Sequence, residues 1–229
     1  MIKNLDTKVR KFYKKIDTKL NYSVPNETIF RLLGDSYFNY KNKKILDIGI
    51  GNGDNLLEFK RRKGIIFGID IRIKLLKLFI KKNKLNPKNF FYCDLNKFFI
   101  KINKKMDLVL CKDVIYYLKI KKQFLLIDEV SKILKKNGYF LFQYIQCQLK
   151  QNSNNFFSFN LGNKSIFKKM KSYMNKENPI PFLSNEHIKK LLSNKNFKVK
   201  KNVFDINIHT KDKKKIYTIN RFILLQKIK

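Results

Sequence analysis

Apolar and polar positions change their spacing near residue 44. Before it the spacing is helical: Val9, Phe12, Ile16 and Leu20 share one face of "KVRKFYKKIDTKL". "SVPNETIFRLL" follows, with Pro25 as punctuation, Asn26 as a cap, and Ile29, Phe30, Leu32 and Leu33 as an apolar face. After it, short continuous apolar runs alternate with helix-length amphipathic stretches. "KKILDIGI", "IIFGIDI", "NFFYCDL", "MDLVLCKDV" and "YFLFQYI" read as strands. "GDNLLEFKRRK", "KLLKLFIKKNK" and "KKQFLLIDEVSKILKKNG" read as helices. Strands apolar on both faces and separated by helices predict a parallel, doubly wound α/β sheet with helices on both faces.

The pattern stops at Cys147. From there to about Phe182 the chain is rich in Asn, Ser, Lys and Phe, which predicts an insertion, with one short helix around Lys164 to Tyr173. "LSNEHIKKLLSNKN" predicts a helix capped by Ser184 or Asn185. "FKVKKNVFDINIHT" and "KIYTINRFILLQKI", joined by the charged turn "KDKKK", predict an antiparallel pair with one lysine-guarded edge strand. The expected organisation is a single domain: a helical cap over 1–43, a core over 44–146, an insertion or lid over 147–183, and a closing helix and strand pair over 184–229.

Composition bounds the class. A chain of 229 residues with 44% hydrophobic content can bury a core. No apolar run is long enough for a membrane span, and the basic N-terminus lacks the apolar stretch of a secretory signal. Cys93, Cys111 and Cys147 are isolated, which points to reduced thiols, a cytoplasmic location and no zinc site. The formal net charge of +35 fits either a nucleic-acid surface or a genome bias. Alanine and tryptophan are missing while Lys, Asn, Ile and Phe abound, as AT-rich codons would give, and the lysines are spread over the whole chain.

The strand ends carry the chemistry, because open α/β sheets bind ligands at their carboxyl edge. Strand one ends in Asp47 and the loop Gly49-Ile50-Gly51-Asn52-Gly53; the next three end at Asp70, Asp94 and Asp113. Gly49 and Gly51 fit the dinucleotide pattern G-x-G-x-x-G, but the third small residue falls on Asp54. A carboxylate there, and Asp47 ahead of the loop, would repel a pyrophosphate. Both suit a ligand without phosphate that carries a cation and a diol. S-adenosylmethionine is such a ligand.

"LDIGIGNGDN" resembles the first motif of the class I S-adenosylmethionine-dependent methyltransferases. Asp70, Asp94-Leu95, "DLVLCKDVIYYL" and "VSKILKKNGYFLF" resemble the successive segments of that family. The resemblance implies a Rossmann-like, seven-stranded sheet, mostly parallel with an antiparallel last strand. It also implies site roles. Gly49, Ile50 and Gly51 would meet the methionine part of the donor, with Asp47 orienting the loop near the ammonium group. Asp70 would take the ribose hydroxyls, next to Ile71. Asp94 and Leu95 would flank the adenine. Lys112 or Asp113 would lie near the transferring methyl. Arg31 is a candidate for the methionine carboxylate, and equally a surface arginine.

The acceptor is less legible. His187, Asp113 and His209 are the available bases, and none is singled out by its surroundings in sequence; Tyr116 and Tyr117 read as pocket walls. No Asn-Pro-Pro-Tyr sequence follows strand four and no Pro-Cys pair occurs. Within the resemblance, that argues against planar-nitrogen and cytosine-C5 acceptors. A small-molecule acceptor, methylated on oxygen, is expected, with the N-terminal helices and the insertion as its lid. RNA held by the basic surface is the alternative, and a degenerate binding protein a third. No metal is expected, and the oligomeric state is open.

Overall fold

The computed structural model describes residues 24–95, 102–150, 185–193, 196–211 and 214–229, the side chains of 146–150, 185 and 207–218 excepted. Val9 to Leu20, the helix expected over Lys164 to Tyr173, and the Ser184 cap fall outside them.

Seven strands form one sheet in the order β3-β2-β1-β4-β5-β7-β6. They are β1 (Lys44–Ile48), β2 (Ile65–Asp70), β3 (Phe90–Tyr92), β4 (Met106–Lys112), β5 (Leu134–Lys150), β6 (Phe197–Lys211) and β7 (Lys214–Lys227). The first five pair in parallel, and β7 runs antiparallel to both of its neighbours. Strand order reverses between β1 and β4, which opens a crevice at their carboxyl ends.

Helices cover both faces because the strands are apolar on both. On one face pack α1 (Glu27–Gly34), α2 (Asp54–Arg61) and α3 (Ile73–Lys82). Ile29, Leu33, Leu56, Phe59 and Phe79 meet Ile45, Leu108 and Leu110 there. On the other, α4 (Ile120–Ile133) and α5 (Asn185–Leu192) bring Leu126, Val130, Ile188 and Leu191 onto Val109, Phe140 and Phe142. Burying each such side chain contributes roughly 1.5–3 kcal/mol against leaving it exposed.

Helix α1 starts where the sequence places it. The Asn26 side chain accepts a hydrogen bond from Ile29 N at 3.2 Å, and the Asn26 N–H donates to Asn55 Oδ1 at 3.0 Å. This ties the N-terminus of α1 to the first turn of α2, beside the glycine loop. The apolar face of α1 is buried in the core and does not stand off the sheet.

Two boundaries differ from the sequence reading. Helix α4 ends at Ile133, five residues short of Gly138, and β5 begins at the next residue, with Asn137 at φ 63° within it. A Cβ at Gly138 would lie 3.0 Å from Lys135 O and 3.1 Å from Asp107 O, so the start of β5 bends tightly against β4. Strand β5 does not stop at Cys147. It runs to Lys150 because β7 supplies partners there, down to Lys150 opposite Ile216. Strand β6 is the edge, and Lys198, Lys200 and Lys201 are exposed along it.

Candidate active site

The crevice is built by the loop after β1. Gly49, Gly51 and Gly53 all have left-handed φ, at 82°, 62° and 85°. Gly49 N–H donates to Ile69 O at 2.7 Å, which folds the loop back over β2. A side chain at Gly49 would collide with Val114, and one at Gly53 with the Phe79 ring. Glycine is required at both for space as well as for φ.

Asp47 lies beneath this loop and is 2% exposed. Its Oδ1 has no hydrogen-bond partner among the described residues. Burial pushes its carboxyl up to about 7; Lys112 partly offsets this and Asp70 adds to it. A carboxyl held this way is costly to ionise unless a cation approaches it.

Asp70 ends β2 and is also buried. Its Oδ2 accepts from Gly51 N at 3.0 Å and from Arg72 Nη2 at 3.3 Å. Its Oδ1 accepts from Arg72 N at 2.8 Å and Arg72 Nε at 3.2 Å. The carboxylate thus presents two oxygens side by side, both engaged by Arg72. Asp94 is buried next along the edge, Leu95 packs on the core, and Ile71 is exposed at the rim. Ile50 is buried under the loop.

After β4 the chain takes a strained step. Asp113 has φ 56°, a left-handed conformation unusual for a residue with a side chain. Its N–H donates to Gln143 Oε1 at 2.9 Å, and Gln143 Nε2 donates to Asn220 Oδ1 at 2.8 Å. Its carboxylate accepts from Tyr116 Oη at 2.9 Å and pairs with Lys112 Nζ. Both groups of that ion pair stay partly exposed at the carboxyl edge. Tyr116 and Tyr117 stand with ring centroids 4.5 Å apart immediately below.

His187 on α5 donates from Nε2 to Gln123 Oε1 at 2.6 Å, because Gln123 Nε2 is committed to Leu118 O. Burial, with Lys190 nearby, lowers the His187 pKa, and the ring ties α5 to α4. Arg31 is exposed on α1. His209 is on β6 opposite Ile216, and its side chain falls outside the described residues. Cys111 is buried, and burial together with Asp47 pushes its thiol up, so it is no ready nucleophile. Among the described residues there is no cluster of three metal-ligating side chains, and no helix is long and apolar enough to cross a membrane.

The sequence reading missed three participants. Arg72 was detectable, since it sits two residues after Asp70 and an extended chain returns to the same side every second residue. Gln143 and Asn220 were detectable as polar residues inside otherwise apolar strands.

The arrangement fits S-adenosylmethionine. An unpartnered buried carboxyl oxygen suits a cationic ligand, a two-oxygen acid suits a diol, and the glycines allow close backbone approach. A family model described as a methyltransferase domain matches residues 39–222. The chain belongs to this family, and its fold and crevice are those of a class I S-adenosylmethionine-dependent methyltransferase. Similar solved structures include YcgJ from Bacillus subtilis, with TM-score 0.64 and 12% identity over 89% of this chain and 100% of that one. Magnesium protoporphyrin IX methyltransferase from Synechocystis PCC 6803, with bound SAH, has TM-score 0.57 and 16% identity over 87% and 80%. The N-methyltransferase NodS from Bradyrhizobium japonicum WM9, with S-adenosyl-l-homocysteine, has TM-score 0.56 and 12% identity over 87% of each chain. No curated protein matches the chain.

Proposed function

We propose that this methyltransferase modifies a small molecule, on an oxygen atom of a metabolite, sugar or natural product. The observation that carries the reading is the Asp113 carboxylate. It is fixed by Tyr116 and by a strained backbone, and stays partly exposed at the carboxyl end of β4. When bound, S-adenosylmethionine would supply an electrophilic methyl carbon on a positively charged sulfur. Gly49, Ile50, Gly51 and Asp47 would hold its methionine end, and Asp70 with Ile71 the ribose. Asp94 and Leu95 would flank the adenine, and Lys112 would serve the methyl end.

Asp113 accepts the proton of the acceptor hydroxyl as the oxygen gains its methyl group, and later returns that proton to water. The tyrosines exclude water from the acceptor side. Two named relatives support the substrate class: one is a magnesium protoporphyrin IX methyltransferase and the other is NodS. So does the spread of charge. Among the described residues, exposed lysines occur on α3 (Lys74, Lys77, Lys81), on α4 (Lys121, Lys132) and along β6. In this reading the protein is a single domain that works in the cytoplasm with Cys93 and Cys111 as buried, reduced thiols.

The test is incubation with labelled donor and an extract of the source, separated into RNA and small-molecule fractions. Label is expected in the small-molecule fraction. Label confined to RNA would replace this reading with the RNA alternative.

A further inference from the structure

The ribose acid of this site is already bonded. Arg72 engages both Asp70 oxygens through its guanidinium and one of them through its backbone N–H. Both side chains are largely shielded: Arg72 is 14% exposed and Asp70 6%. The guanidinium also lies over the glycine loop, with Nη2 only 3.7 Å from where a Cβ on Gly51 would be. Arg72 therefore covers the place where an adenosine ribose would reach Asp70.

We propose that Arg72 competes with the donor for Asp70, so that the ribose diol binds by displacing a guanidinium fork. This rests on the donor reading above, and it adds a residue that sets donor affinity. The exchange swaps like for like. A diol offers two O–H donors to two adjacent carboxylate oxygens, as the fork does with two N–H groups. Gly51 N and Arg72 N keep their bonds to Asp70 throughout, since neither needs the arginine side chain. The free protein is thereby stabilised at the expense of apparent affinity, because only the fraction with Arg72 displaced can bind.

The experiment is calorimetry of the full chain with S-adenosylhomocysteine, for wild type, Arg72→Met, Asp70→Asn and the double variant. Arg72→Met should bind tighter, by about tenfold where about a tenth of the free protein has Arg72 displaced. Its melting temperature without ligand should fall, because Asp70 loses its counter-charge. In the Asp70→Asn background, Arg72→Met should change affinity little, since there is no longer a fork to displace. Should Arg72→Met fold poorly, Arg72→Lys keeps the charge, loses the fork, and should give intermediate tightening. Equal or weaker binding by both Arg72 variants would overturn the inference and make Arg72 a donor ligand or a bystander. Failure of every protein, wild type included, to bind S-adenosylhomocysteine would instead overturn the donor reading itself.

Discussion

The two edges of the sheet use acidic residues in opposite ways. At the amino edge Asp107 is fully partnered: Oδ2 accepts from Lys44 N at 2.9 Å, and Oδ1 meets Lys135 Nζ at 2.8 Å and Lys43 Nζ at 3.8 Å. Nearby, Lys227 Nζ donates to Ser131 O and Leu134 O at 2.7 and 3.0 Å, where a cation suits the end of α4. At the carboxyl edge Asp47 is buried with an oxygen unpartnered, and Asp113 is held in a strained backbone. The amino edge closes the fold. The carboxyl edge spends stability on keeping charge and space ready for a ligand.

The comparison is most easily broken at the glycine loop. Gly49→Ala introduces a side chain at φ 82° against Val114. It should cost roughly 1–3 kcal/mol for the backbone alone, with the clash added, and abolish donor binding. Thermal melting and calorimetry read both effects.

Next in size is Asp70→Ala. Loss of a charged, two-oxygen acceptor should weaken S-adenosylhomocysteine binding by about ten- to a hundredfold, as hydrogen bonds to charged groups are worth roughly 1.5–3 kcal/mol. Unchanged affinity would show that the ribose lies elsewhere.

Asp47→Asn sharpens the contrast, because stability and binding should move in opposite directions. The Asp47 carboxyl is raised from 3.8 to about 7 by burial. Ionising it therefore destabilises the folded state. That cost is absent below the ordinary carboxylate value, grows as pH rises toward 7, and is complete above it. The Asn variant should melt higher than wild type at pH 8, by the equivalent of about 1–3 kcal/mol, and show little gain at pH 4. It should also bind donor more weakly.

Asp107→Asn is the smallest and the control. It should lose about 1–2 kcal/mol of stability as partnered bonds are weakened, with donor affinity unchanged. A change in affinity would mean that the two edges are coupled.

How legible this was follows from the same division. The five parallel strands could be read from apolar runs such as "DLVLC", since burial on both faces leaves a plain signature. The glycine loop and the acids at 47, 70, 94 and 113 could be read because they fall at strand ends. The α4 terminus could not, because β5 begins there and its start bends tightly against β4, a contact between distant segments. The length of β5 beyond Cys147 depended on β7, some 70 residues later. Arg72 and Gln143 stand out by spacing and by residue type, but those signals mark the residues without naming Asp70 and Asp113 as their partners.

The central claim is that the carboxyl edge holds an adenosine-linked cation and not a dinucleotide. Calorimetry of the wild-type chain with S-adenosylmethionine and, separately, with NAD tests it most directly. Saturable binding of S-adenosylmethionine and none of NAD is the predicted result; binding of NAD without S-adenosylmethionine would contradict it.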